Sequence, residues 1–312
     1  MIRGKRISVV TPCFNEEANV EELYSQIKAV FASLPQYEYE HIFIDNASRD
    51  GTLAILRRLA GKDPRVKVIV NIRNFGHIRS PYHGLLAARG DAVIIMASDL
   101  QDPPALIPEF LRRWEEGFRV VLAQKTESEE PSVFFFIRRM YYKLASQLAD
   151  VELLQNVTGT GLYDSEVVQA FRDLRETYPY LRGLIAELGY PVAPVPFRQP
   201  QRKRGITKNN FFTLYDIAML GITSHSKVPL RLATMAGFAM SVISFLIAIG
   251  YLVAKLLFWY HFTVGVAPVI IGLFFFGSVQ LFFTGILGEY IGWIHTRLQN
   301  RPLVVERERI NF

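Results

Sequence analysis

"AVIIMASDLQDPP", residues Ala92 to Pro104, decides how the chain is read. An apolar run, Ala92 to Met96, leads into two carboxylates, Asp99 and Asp102. Two prolines, Pro103 and Pro104, then stop regular pairing. A short apolar run bounded this way suits a strand buried on both faces of a parallel sheet. Acids at its carboxyl end suit the crevice where such sheets take their ligands.

The flanking chain repeats the pattern. "RISVVTPCF" reads as a strand. "NEEANVEELYSQIKAVFASL" reads as a helix, with Asn15 as candidate N-cap and Glu16 and Glu17 in its first turn. "YEHIFIDNA", "VKVIVNI" and "RVVLAQ" read as further strands, and "SRDGTLAILRRLAGK", "SPYHGLLAARG" and "PALIPEFLRRWEEG" as the helices between them. This alternation predicts an α/β fold with a doubly wound, mostly parallel sheet. Asn15, Asp45, Asn46, Arg73, Asp99 and Lys125 all fall at or just past predicted strand ends, so they should converge on one cleft.

The remaining chain has a different character. "LATMAGFAMSVISFLIAIGYLVA" (Leu232 to Ala254) and "FTVGVAPVIIGLFFFGSVQLFFTGILG" (Phe262 to Gly288) carry no charge. Each exceeds the roughly 20 residues a helix needs to cross a bilayer. Lys227 and Arg231 precede the pair; Arg297, Arg301, Arg307 and Arg309 follow it. The positive-inside rule puts both flanks in the cytoplasm, and the turn with Trp259, Tyr260 and His261 on the far side. "SVFFFIRRMYYKLASQLA" and "NNFFTLYDIAMLGI" mix aromatic and basic residues in a way that suits the headgroup boundary. The expected divisions are a cytoplasmic catalytic domain over 1–205, an interface segment over 206–230, a two-helix transmembrane hairpin over 231–296 and a cytoplasmic basic tail over 297–312.

Composition narrows the class. With one cysteine, Cys13, the 312-residue chain has no intramolecular disulfide framework. A net charge of +6 fits anionic lipid or a phosphorylated substrate. Nucleic acid would need a binding module, and none is recognisable.

Several motifs occur in a fixed order: "VVTPCFNEEANVEEL", "FIDNASRDGT", "NIRNFG", "GLLAARGDAVIIMASDLQDPP" and "RKRGITK". Together they resemble family 2 glycosyltransferases of the polyprenyl-phosphate type, over essentially the whole chain. That group includes dolichyl-phosphate mannose synthases and bacterial undecaprenyl-phosphate glycosyltransferases. The resemblance implies a nucleotide-sugar domain of the GT-A kind and inverting transfer of one hexose, expected from a UDP-sugar, to a polyprenyl phosphate. It implies a homo-oligomer at the bacterial inner membrane.

Residue by residue, it implies that Thr11, Pro12, Asn15 and Glu16 line the nucleotide pocket. Asp45 would contact base and ribose with Asn46 beside it, and Arg73 and Lys125 would complete the donor site. Asp99 and Gln101 would hold Mg²⁺ or Mn²⁺, with Asp102 behind them. Arg138, Arg139, Arg202 and Lys208 would surround the lipid phosphate. The chain departs from the pattern where Asn46 and Ala97 replace acids. It departs again in "TGTGLYD" (Thr158 to Asp164), where Gly159 and Gly161 replace an acid and an arginine. That run is expected to be a turn leading into a helix, or a glycine loop open to a phosphate. Rival readings are a silent nucleotide-sugar-binding scaffold and a processive polysaccharide synthase.

Overall fold

The computed structural model describes residues 4–126, 157–177, 179–199, 228–257, 266–299 and 301–312. The two aromatic and basic segments, Arg138, Arg139, Arg202, Lys208 and the Trp259–His261 turn lie outside these residues.

Four strand–helix repeats and a fifth strand open the chain as the alternation predicts. They are β1 (Lys5–Cys13), α1 (Val20–Ala32), β2 (Tyr37–Asp45), α2 (Thr52–Lys62), β3 (Val66–Asn71), α3 (Gly76–Ala87), β4 (Ala92–Ile95), α4 (Ile107–Glu115) and β5 (Val120–Lys125). There follow β6 (Val157–Asp164), α5 (Ser165–Leu174), α6 (Leu181–Leu188) and β7 (Val192–Phe197). Two long helices, α7 (Val228–Leu257) and α8 (Val266–Leu298), precede a last strand, β8 (Glu306–Ile310).

The eight strands form one sheet in the order β7-β5-β6-β4-β1-β2-β3-β8. Pairings β1–β2, β1–β4, β2–β3 and β5–β7 are parallel; β3–β8, β4–β6 and β5–β6 are antiparallel. The sheet is mostly parallel, with antiparallel insertions that the alternation did not predict. Ile7, Val9, Phe43 and Val68 pack on one face against α1, α2 and α4; Val10, Ile44, Ile69 and Val93 pack on the other against α3, α5 and α6. Burying both faces explains why β1 to β4 read as apolar runs.

Connections run outward from β1 to β3, then return across β1 to β4. The reversal between β1 and β4 is a topological switch point, where the loops diverge and leave a crevice.

"TGTGLYD" is a strand, which corrects the turn or loop expected there. Its Gly161 sits so close to β5 that an added Cβ would lie 2.6 Å from the Val121 carbonyl oxygen. Glycine there serves strand packing, while Gly159 faces open space.

Within the tail expected over 297–312, Glu306–Ile310 form an edge strand of the sheet. The Ile72 N–H donates to the Val305 carbonyl (3.0 Å), and the Asn311 amide donates to the carbonyls of Ala60 (2.8 Å) and Val66 (2.9 Å). Glu306 meets His83 of α3, and Glu308 meets Arg57 of α2, each at 2.5 Å.

Helix α7 contains a span, Leu230–Ile247, long and apolar enough to cross a membrane and buried nowhere by the rest of the protein. Leu273, Phe275, Leu281 and Phe282 of α8 are likewise exposed.

Candidate active site

The loops after β1, β2 and β4 meet at the switch point. Each contains a non-glycine residue in the left-handed region: Asn15 (φ 57), Ala47 (φ 61) and Leu100 (φ 58). Such backbone costs on the order of 1–3 kcal/mol per residue, and it persists where surrounding bonds dictate it. Here those bonds are visible.

Asn15 does not cap a helix, as the sequence suggested; α1 begins at Val20. Instead its N–H donates to Ser48 Oγ (2.9 Å) and its side-chain oxygen accepts from the Arg49 N–H (2.8 Å), tying the first loop to the second. The Glu16 N–H donates to Thr52 Oγ1 (2.8 Å), and the Glu16 carboxylate accepts from Asn19. Thr11 and Pro12 belong to β1 itself. Thr11 is fully buried, its hydroxyl 3.0 Å from His41 Nε2. Burial pushes His41 down to about 3, so its ring is neutral.

Asp45 ends β2 fully buried, and its carboxylate accepts from the Ser48 N–H at 3.2 Å. Burial raises its pKa, the Ser48 bonds lower it, and Arg307 of β8 lowers it further.

Asn46 is saturated. Its amide N–H groups donate to Asn74 Oδ1 (2.9 Å) and the Gly76 carbonyl (3.1 Å); its oxygen accepts from Asn71 (3.1 Å) and the Phe75 N–H (2.9 Å). The two backbone partners fix which end is which. All four positions of a primary amide are therefore used in holding the "NFG" turn. Asn46 organises the loop and has nothing left to read a base. A carboxylate could not make the two donations, which explains the amide here. Within the turn, the Arg73 guanidinium lies 4.0 Å from the Phe75 ring centroid.

The β4 loop differs. Ala97 is half-buried and Asp99 is partly exposed, its Oδ1 accepting from the Gln101 N–H (3.2 Å). Asp102 is only 4% exposed; it accepts from Thr160 Oγ1 (2.6 Å) and the Gln199 amide (3.3 Å). Burial raises its pKa, the hydroxyls of Thr160 and Thr158 lower it, nearby Asp99 raises it, and Lys125 of β5 lowers it. Asp102 thus fastens the β4 loop to β6 and to the chain after β7. Asp99 is the more exposed of the two acids. Sequence reasoning missed Ser48, Thr160 and Gln199; the alternating "TGT" was the available signal for Thr160.

Among the described residues, no group of three or more His, Cys, Asp or Glu could hold a metal ion by itself. Asp99 and Gln101 offer hard oxygen donors. They fit Mg²⁺ or Mn²⁺, which would need substrate phosphates and water to complete its ligands.

Residues 8–171 match the family described as Glycosyl transferase family 2. The chain is a family 2 glycosyltransferase. A glycosyltransferase of Bacillus subtilis, YkcC, named as uncharacterized, is 35% identical over 308 residues, covering 98% of this chain and 94% of its own. The SfII prophage-derived bactoprenol glucosyl transferase of Shigella flexneri is 35% identical over 298 residues, covering 95% and 96%. Glucosyl-3-phosphoglycerate synthase from Mycobacterium tuberculosis, solved with Mn²⁺, UDP and phosphoglyceric acid, aligns over 70% of this chain and 77% of its own. Its TM-score is 0.50 at 22% identity, a likeness of fold. The GT-A-like sheet and the enzymatic class expected from the motifs are therefore established.

Proposed function

We propose that this glycosyltransferase moves one glucose, with inversion, from UDP-glucose to undecaprenyl phosphate at the cytoplasmic face of the inner membrane. The observation that carries the reading is the joining of a switch-point crevice to two long exposed apolar helices in one chain. The bactoprenol glucosyl transferase, similar over nearly its full length, supports the sugar and the acceptor. UDP and Mn²⁺ in the synthase of like fold agree with the donor and the ion.

An oxygen of the lipid phosphate attacks the anomeric carbon. The bond from that carbon to the diphosphate breaks, and UDP leaves with the electron pair. The phosphate monoester is mostly dianionic near neutral pH, its second pKa lying near ~6, so no strong general base is required. Asp99 and Gln101 would hold the divalent ion, which when bound neutralises charge on the departing diphosphate. Asp102, through Thr160 and Gln199, holds the β4 loop so that Asp99 keeps its position. Arg138, Arg139, Arg202 and Lys208 are proposed to receive the acceptor phosphate.

The proposed topology draws support from the sheet. Strand β8 pairs with β3, so the chain beyond α8 lies on the same side as the sheet. This supports an even number of crossings between residues 199 and 301, and we propose two, one by each long helix. His261→Cys should react with a membrane-impermeant thiol reagent in intact cells, while buried Cys13 stays silent. A homo-oligomer is expected and is checked by crosslinking in membranes.

The decisive test uses the full chain in membranes with radiolabelled UDP-glucose and undecaprenyl phosphate. Label should pass into organic-soluble lipid. Label found only as free glucose, or lipid labelled only from another nucleotide sugar, would overturn the reading.

A further inference from the structure

We infer that Arg307, in the strand that follows α8, is a donor-binding residue: the C-terminal strand completes the nucleotide pocket with its guanidinium. This rests on the proposed donor being a nucleoside diphosphate sugar.

Three observations lead to it. Val70 pairs with Glu308 and Asn71 with Glu306, so Arg307 is the extra residue of a β-bulge. Bulges at sheet edges re-aim a side chain and recur beside active sites. The bulge lies level with the crevice, because Val70 also pairs with Asp45 on its other side. Two strand spacings, about 10 Å, separate the Arg307 and Asp45 backbones, a gap that a long side chain can bridge.

The charges of β8 make the second observation. Glu306 bonds His83 and Arg309, and Glu308 bonds Arg57. Arg307 makes no ion pair or hydrogen bond among the described residues, yet its field reaches the buried Asp45 carboxylate. An exposed guanidinium left over from a paired strand is suited to an anionic or aromatic ligand.

The third is the order of the loops. Asp99 lies at β4, Asp45 at β2 and Arg307 at β8, along one row of strand ends. With the diphosphate beside Asp99, the nucleoside end runs toward β2 and β8. Asp45 accepts from its N–H or O–H groups, and Arg307 covers it.

The test is calorimetry of UDP and UMP on the detergent-solubilised full chain. Arg307→Gln should raise both dissociation constants roughly ten- to a hundredfold, and Arg307→Lys should recover part of the loss. Arg57→Gln breaks the neighbouring Glu308 ion pair of β8 while leaving Arg307 in place, and should leave both constants within about threefold. An unchanged constant in Arg307→Gln overturns the inference, as does an equal loss in Arg57→Gln, which would assign the effect to strand docking. A loss confined to UDP overturns the nucleoside placement. If the unmodified protein binds neither nucleotide, the proposed donor is what fails.

Discussion

The loops after β2 and β4 each lack one acid of a paired motif, and the two absences have opposite physical meanings. Asn46 gains something: four bonds that only an amide can make, which hold the "NFG" turn. Ala97 gains nothing visible; a half-buried methyl stands beside Asp99, and the loop is held by Asp102. A departure from a family pattern is therefore not a measure of lost function until its partners are known.

The largest effect expected is at the second loop. Asp99→Ala should reduce turnover at least about a hundredfold, with the fold retained because the carboxylate is partly exposed. EDTA should do the same to the unmodified enzyme, reversed by Mg²⁺ or Mn²⁺. Retained glycolipid synthesis in both experiments would break the comparison.

At the first loop the effect should fall on stability. Asn46→Asp sets a carboxylate against the Gly76 carbonyl and leaves buried acceptors facing each other. A loss of about 2 kcal/mol is expected in denaturant or thermal unfolding. If the Asn46→Asp variant proves as stable as the parent, the amide's bonds are incidental.

The floor of the first loop should carry a pH signature. His41 is neutral when folded, with a pKa of about 3 against 6.5 for the exposed ring. The unfolded chain binds the proton first. Stability is therefore complete above pH ~6.5 and falls as the pH drops toward about 3, by roughly 1.4 kcal/mol per unit. His41→Gln should flatten that part of the profile; an identical slope would remove His41 as its cause.

The smallest effect belongs to Ala97→Asp. A second carboxylate near the ion should tighten Mg²⁺ binding by about 1 kcal/mol or less after its own desolvation, with folding unaffected. No change in metal affinity would show that position 97 points elsewhere.

Legibility followed the source of each element's stability. Strands β1 to β5 are buried on both faces, so their sequences are apolar and could be read. Strand β6 spells "VTGTGLYD" and owes its place to β4 and β5 on either side, which no local pattern reveals. Strand β7 contains Pro194 and Pro196, which argue against a strand. It tolerates them because β7 is an edge and residues two apart present their missing N–H groups on the same side. Strand β8 reads as charge, "ERERI", since an edge that faces water is protected by charge. Within the site, the strand-end acids were legible because burial makes them conspicuous. The bonds of Asn46, and the withdrawal of Asp102 from the crevice, depend on Gly76 and Thr160, which are distant in sequence.

The pairing of β8 with β3 also orders events in time. N-terminal segments fold first as a chain leaves the ribosome. The exposed edge of β3 has to wait for residues 306–310, which are translated after both long apolar helices have been made. A nascent catalytic domain therefore carries an open sheet edge throughout synthesis of those helices. Its last sheet hydrogen bonds close only when the segment beyond α8 has emerged, so a chain interrupted within either helix is left with an unfinished sheet.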